Sequence, residues 1–539
     1  MNILVIIPAR GGSKGIPRKN LRLLGGKPLL YYSIKTALSS TFKPDVYVSS
    51  DDDEILNMAK KNNAKIFKRN ADNAQDNTTL DPVIFECFKA VEKIEGKSYD
   101  LVITFQPTSP LLKTSSLDSA IQNMLNNDEI DSIISAKDST HLSWRKENGK
   151  YVPNYKERLN RQYLTKVYSE SGGFLITKSN FVSNNNRIGN EVSLHLLSNG
   201  EEIDIDTYED WSLCEYYLAK KKILFVVTGN QKLGLGHVHN TLILANDILN
   251  HSIEFLVDND SELAFNKIST FNYPCYIQES ENIIDDIKKR NPDLIINDRL
   301  DTPLDYMEAI KSMGIKTINF EDLGPGANIA DCVVNAIYPE QNKSENHFYG
   351  QDYFILRDEF FHFQKAKEIK DVSEILITFG GVDPNNYTKK VISSIYEYCI
   401  ENNIKINVIA GFGYQNFESL NSFTEINILK NVFNISDYMY SSDLIFTSAG
   451  RTIYEIASIG TPAIVLSQNE REKTHFFAYE EFGFQNLGLG YNLDEREILE
   501  NFTKLVKDKS KRQEMSILMQ KNKLKNGRKT VQKIIQNIL

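Results

Sequence analysis

The chain is expected to be α/β throughout, with three successive sheets built one after another. Three observations predict this. Apolar runs of strand length alternate with helical stretches along the 539 residues, the rhythm of sheets covered by helices. A buried-strand run breaking into a Gly-rich turn opens the chain at Ile3 and recurs at Ile223, and a further restart follows at Glu374. The length itself calls for three or four folding units.

Strands are expected over residues 3–7, 46–49, 101–105, 132–135 and 174–177, with helices over 53–62 and 81–94 as the covering layer. A helix over 211–222 ends in the basic run Lys220, Lys221, Lys222, where a linker is placed. The second sheet takes strands at 223–227, 254–257, 294–297, 317–320 and 332–335, with a helix over 238–249 after the turn GLGH at 234–237. The third takes 374–379, 406–410, 444–447 and 463–466. The domains are therefore drawn at 1–220, 221–368 and 369–539, the last two as facing lobes with ligand at the carboxyl ends of their strands. Residues 494–539 form a Lys-rich helical ending whose interspersed acids suit a solvated packing element rather than a membrane surface.

Composition narrows the partners. A net charge of −9 argues against nucleic acid, and anionic substrates then require cations gathered locally. The five cysteines include no CxxC pair, which removes a zinc ribbon and a disulfide framework and fits a reducing cytoplasm. Residues 3–7 are too short for a secretory core, and no run approaches the ~20 apolar residues of a membrane span. A soluble, cytoplasmic protein is expected.

Residues 3–20 read ILVIIPARGGSKGIPRKN: Gly11, Gly12 and Gly15 let backbone N–H groups approach phosphate oxygens, and Arg10, Lys14, Arg18 and Lys19 offset the charge. This is a cradle for a nucleoside triphosphate. Farther on, EIDID places Asp204 and Asp206 two apart, so in an extended strand both carboxylates face one way and can hold Mg²⁺. Thr207 and Asp210 can at the same time cap the next helix.

That opening, with QPTSPL at 106–111, NRQYLTKVYSESGG at 160–173 and EIDIDTYEDW at 202–211, resembles the acylneuraminate cytidylyltransferases in order along the chain. The resemblance ends near Lys220. It implies a nucleotidyltransferase (GT-A-like) domain that transfers CMP from CTP to a nonulosonic acid with Mg²⁺, releasing pyrophosphate, and a homodimer formed through this domain. Arg10, Gly11, Lys14, Lys19 and Asn20 carry over toward CTP, Arg69 toward the cytidine and Gln106 toward sugar or nucleotide. Arg161 carries over as the catalytic or sugar-binding arginine, although it could instead pair with Glu157. The family usually has Asn before Gly where Ser171 and Gly172 stand, and often Arg near Leu112. These departures leave room for legionaminic or pseudaminic acid.

From Lys222 the chain resembles the UDP-sugar hydrolases of pseudaminic acid biosynthesis, relatives of GT-B glycosyltransferases. The motifs are GLGHVHN at 234–240, FEDLG at 320–324, YFILRDEF at 353–360, FGGVDPNN at 379–386 and SAGRTIYEIASIGTP at 448–462. The resemblance implies a two-lobed GT-B-like pair that cleaves a UDP-sugar with water and no metal. His237, following Gly236 at a helix start, is the expected base or water-orienting group. Asp298 and Asp322 end strands at the cleft and are candidates to assist. Gly380, Gly381, Ser448, Ala449 and Gly450 would donate to the leaving diphosphate, aided by the helix that follows, and Glu455 would accept from the uridine ribose. Asn240 stands where the hydrolase pattern has arginine, and Arg451 where glycine is common. A glycosyltransferase, a sugar 2-epimerase or a noncatalytic UDP-sugar-binding module therefore stays open beside the hydrolase. The fusion reads as two steps of one nonulosonic acid route, hydrolysis of a UDP-2,4-diacetamido-2,4,6-trideoxyhexose and activation of the finished acid.

Overall fold

The computed structural model describes all residues except 13, 14, 71, 72, 74, 76, 77, 232, 342, 343, 364–366, 412, 431 and 433. It divides into two compact units, Met1–Lys220 and Lys221–Leu539.

The first unit is built on a seven-stranded sheet. Ile3–Pro8 lies in its middle, parallel to Asp45–Ser50 on one side and to Leu101–Phe105 on the other. Its residues Leu4 to Ile7 are fully buried, which is why the run is apolar at every position rather than at alternate ones. Beyond Leu101–Phe105 the sheet turns mixed: Tyr168–Lys178 pairs antiparallel with it and with Ser132–Asp138, and Val192–Leu196 closes that edge. Lys65–Lys68 closes the other. Helix Asp53–Lys61 starts where the Asp52 carboxylate accepts from the backbone of Glu54 and Ile55.

The second unit holds two all-parallel sheets. One runs Cys275–Ile277, Ser252–Val257, Lys222–Val227, Leu294–Asp298, Lys316–Phe320, Cys332–Asn335, His347–Tyr349; the other runs Ile426–Lys430, Lys405–Ala410, Glu374–Ile377, Leu444–Thr447, Ala463–Ser467, Phe484–Leu489. In both sheets, and in the first unit, chain order reverses beside the founding strand. Crevices therefore open after Ile3–Pro8 and Leu101–Phe105, after Lys222–Val227 and Leu294–Asp298, and after Glu374–Ile377 and Leu444–Thr447.

Two expectations need correction. The helix expected over 211–222 is Tyr208–Ala219, because the Thr207–Asp210 capping box starts it earlier and Lys220 is extended; Lys222 already belongs to the next strand. The Lys-rich ending consists of the helices Glu495–Lys507, Lys509–Gln520 and Gly527–Ile538. The lobes do not divide cleanly at residue 368. Val531 and Ile535 of the last helix are buried in the core of the first lobe with Phe225 and Phe255, and Arg528 pairs there with Asp247. Conversely, Phe354 of the first segment stacks on Tyr454, which stacks on Phe477, with ring centroids 4.1 and 4.3 Å apart. The lobes thus exchange elements and share a core.

Candidate active sites

In the first unit, the loop after Ile3–Pro8 folds back over the segment 204–206. Lys19 Nζ donates to the Ile205 carbonyl at 2.5 Å and reaches Asp206 Oδ1 at 3.3 Å. A Cβ on Gly15 would stand 2.6 Å from the Asp206 carbonyl oxygen, so no side chain fits there. The Asn20 amide donates to the Arg10 carbonyl at 3.0 Å, while its Oδ1 is buried without a partner. Gly11 donates its N–H to Asp51 Oδ1 at 3.1 Å, and Arg18 pairs with Glu54. Arg10, Gly11, Arg18, Asn20 and Asp52 line one small concavity. Lys14 lies outside the described residues.

The two aspartates are close, though for a different reason from the one expected. Residues 202–206 are not a strand; their course is fixed by Ile205, fully buried with Ile16 and Trp211, whose N–H donates to the Thr108 carbonyl at 2.9 Å. Asp204 lies against Gly172, where φ is +74° and a Cβ would meet its Oδ2 at 2.8 Å. Burial raises the Asp204 pKa, the Thr108 hydroxyl opposes that shift, and the neighbouring charge of Asp206 adds to it. Asp204 Oδ1 is buried without a hydrogen-bond partner, and the Asp206 side chain is 76% exposed. An orphaned carboxylate oxygen beside a second, solvated carboxylate is a donor set that fits a hard cation. Among the described residues no group of three His, Cys, Asp or Glu could hold a metal alone, so such an ion would complete its shell with substrate oxygens and water.

Arg69 is buried at the end of Lys65–Lys68, donating from Nη2 to the Ser49 carbonyl at 2.8 Å, and burial lowers its pKa against the raising effect of Asp51. Gln106 sits on the turn after Leu101–Phe105, its N–H bonded to the Gly173 carbonyl at 3.1 Å. Arg161 is not brought to this cluster. It is exposed in a short turn, Arg161–Tyr163, where its carbonyl accepts from the Leu164 N–H at 3.3 Å, and among the described residues its side chain forms no ion pair with Glu157.

In the second unit, His237 begins the helix Gly236–Asp247 and its Nδ1 lies 2.5 Å from Oδ1 of Asp298, the last residue of Leu294–Asp298. The Asn240 amide donates to the other oxygen of Asp298 at 2.7 Å, so that buried carboxylate is fully engaged. His237 Nε2 is the nitrogen left to face a substrate. The Asn240 Oδ1 in turn accepts from Arg451 Nη2 at 2.7 Å, and Arg451 Nη1 reaches Glu321 Oε1 at 3.3 Å. Glu321, in the left-handed region at φ +52°, is buried, and burial pushes its carboxyl up to about 7 although Arg451 opposes that shift.

Asp322 takes no part. It accepts from Thr302 N, Thr302 Oγ1, Gly324 N and Asn319 Nδ2 at 2.6–2.9 Å and locks the loop behind the site. His239 is held neutral, its pKa lowered to about 4 by burial and then by Arg357.

Across the cleft, Gly381 lies opposite Leu235, and a Cβ on Gly234 would stand 3.6 Å from Val382. Gly380 has φ +77°. Ser448 is buried beside Gly450, ahead of the helix Thr452–Ile459. Glu472, pushed up to about 7 by burial, lies 3.6 Å from the position a Gly450 Cβ would take. Glu455 is a buried carboxylate clasped by Arg357 through Nε and Nη2 at 2.6 and 2.9 Å. Sequence reasoning missed Arg357, Glu321 and Glu472. The motifs YFILRDEF and FEDLG contain the first two, but nothing in their spacing shows that they turn toward the cleft.

Comparison with known proteins follows the same division. Residues 4–171 match the model of the cytidylyltransferase family, and residues 375–537 match the glycosyltransferase family 28 C-terminal domain. The second unit is accordingly GT-B-like. An uncharacterized protein of Methanocaldococcus jannaschii is 33% identical over 284 residues, 48% of this chain; the chain spans only 58% of that protein's length. A Helicobacter pylori protein named pseudaminic acid cytidylyltransferase and UDP-2,4-diacetamido-2,4,6-trideoxy-beta-L-altropyranose hydrolase is 23% identical over 489 residues, 86% of this chain and 88% of that one. The pseudaminic acid cytidylyltransferase of Campylobacter jejuni is 33% identical over 218 residues, 39% of this chain and 93% of that enzyme. Through its first unit, the chain belongs to the cytidylyltransferase family.

Proposed function

We propose that the chain is a bifunctional enzyme of nonulosonic acid biosynthesis. The first unit makes a CMP-sugar and pyrophosphate from CTP and a nonulosonic acid of the pseudaminic or legionaminic type. The second hydrolyses a UDP-2,4-diacetamido-2,4,6-trideoxyhexose to free sugar and UDP. The order of similarity along both units to the Helicobacter pylori protein supports the pairing of activities.

For the first reaction, the observation that carries the reading is the meeting of Lys19 with Asp206 beneath a glycine loop, next to the unpartnered oxygens of Asp204 and Asn20. When bound by Asp204 and Asp206, Mg²⁺ would supply a counter-charge to the phosphates. Lys19 and Arg10 bind the polyphosphate, the Gly-rich backbone donates to it, and the acid's anomeric oxygen attacks the α-phosphorus as pyrophosphate leaves. Arg161 enters through a second copy. The segments around it in the chain carry exposed Trp144, Tyr151, Tyr163 and Tyr168, apolar groups of the kind a homodimer would cover.

For the second reaction, Asp298 orients His237 so that Nε2 accepts a proton from the attacking water, while UDP departs toward the turns at 380–381 and 448–450. The reading expects a cytoplasmic enzyme, and no helix among the described residues is long and apolar enough to cross a membrane. Asp206→Ala is expected to abolish magnesium-dependent pyrophosphate release while leaving UDP release intact. Pyrophosphate assay of that variant with CTP and a panel of nine-carbon keto acids tests the assignment, and full activity would refute it.

A further inference from the structure

Arg451 is the cation on which the His237 cluster closes, and its backbone belongs to the other lobe. It stands directly before the helix Thr452–Ile459, yet its side chain crosses to the first lobe. Its Cδ lies 3.5 Å from where a Gly236 Cβ would be, van der Waals distance from the start of the first lobe's helix. Its guanidinium lies 4.7 Å from the ring centre of Phe354 and divides its N–H groups between Glu321 and Asn240. Asn240 is thereby fixed in orientation: its oxygen faces the guanidinium and its N–H₂ faces Asp298. The polarity runs without a break from Arg451 through Asn240 and Asp298 to His237.

We propose that Arg451 is a positioning residue of the His237 site, supplied by the second lobe and acting through the Asn240 amide on Asp298. The assignment rests on reading this site as the UDP-sugar hydrolase. Two carboxylates, Asp298 and Glu321, are buried around His237, and a guanidinium set between them offsets charge that would otherwise disorder the dyad. Because Glu321 and Asn240 stand on one lobe and Arg451 on the other, the dyad is held in register only when the lobes are together. A single positive charge on the helix Gly236–Asp247 would do the same work without that requirement.

The test uses the full chain and UDP release from a UDP-diacetamido-trideoxyhexose. Arg451→Ala is expected to lower kcat about 10- to 100-fold, the range seen when a group orienting an active-site ligand is lost, with KM changed less than about threefold. Arg451→Lys, which keeps the charge but loses the two-pronged fork, falls between it and the parent. Asn240→Arg added to Arg451→Ala is expected to recover at least about tenfold of the lost kcat by placing a guanidinium on the Gly236–Asp247 helix beside Asp298, in place of the relay through the Asn240 amide. Unchanged kcat in Arg451→Ala would overturn the proposal. So would a double variant that recovers nothing while the melting temperature of Arg451→Ala matches the parent. If Arg451→Ala does not fold, Arg451→Lys at full kcat overturns it equally. Should the parent chain release no UDP from any donor, the hydrolase reading fails separately. The bond is then read by a thermal double-mutant cycle of Asn240→Ala and Arg451→Ala, where non-additive losses support the positioning role and strictly additive ones refute it.

Discussion

At the residue scale, charges buried with a partner set the chemistry of the second unit. His237 is oriented by Asp298, and replacing His237 with alanine is expected to cut UDP release about 10²–10⁴-fold, the usual worth of a general base, while leaving pyrophosphate release unchanged. Glu321 gives a pH signature. Burial raises its carboxyl from 4.5 to about 7 in the folded state, so its contribution to stability is fully present below about pH 4.5 and is lost as pH rises through about 7. The variant Glu321→Gln should therefore lose less melting temperature between pH 5 and 7.5 than the parent does; equal slopes would contradict the burial of an ionisable group there. Residue-level chemistry was only partly legible in the sequence. His237 announces itself by following GLG at a strand-to-helix turn, whereas Asp298 and Asp322 look alike as strand-end acids. Only packing separates them: Asp298 meets His237, and Asp322 spends its oxygens on Thr302, Gly324 and Asn319. Glu455 is expected as a ribose acceptor, and the structure shows it clasped by Arg357.

At the scale of elements, strand-to-turn junctions were the readable feature, because a buried parallel strand must be apolar throughout and the turn that follows it must be tight. The founding strands at Ile3 and Ile223 follow from that contrast and the third from the apolar restart at Glu374, and each crevice lies where chain order reverses beside one of them. Helix ends were less legible. The helix Tyr208–Ala219 begins three residues early through its capping box and stops before the lysines, which sequence alone assigns equally well to a helix end or to the next strand. The last helix was misplaced for a deeper reason: its amphipathic pattern shows that one face is buried but not against which lobe. Ile535 is 2% exposed in the core of the first lobe, and Ile535→Ala should cost about 2–5 kcal/mol. Calorimetry should show that loss in the transition of residues 221–539 alone; an unshifted transition would mean that the helix does not dock there.

At the scale of the whole molecule, the division at Lys220 separates two complete folding units, each with its own cores. Fragments 1–220 and 221–539 are accordingly expected to fold apart, and each should keep the activity proposed for it. The pairing of the two proposed activities is read as one of shared route, the sugar that one would release being a precursor of the acid that the other would consume. The most direct test of two independent nucleotide sites is a crossed assay of the full chain and its Asp206→Ala and His237→Ala variants, measuring pyrophosphate from CTP and UDP from the UDP-sugar in the same preparations. The account predicts that each variant loses one product and retains the other at the parent's rate. Loss of both products in either variant, or of neither, would contradict it.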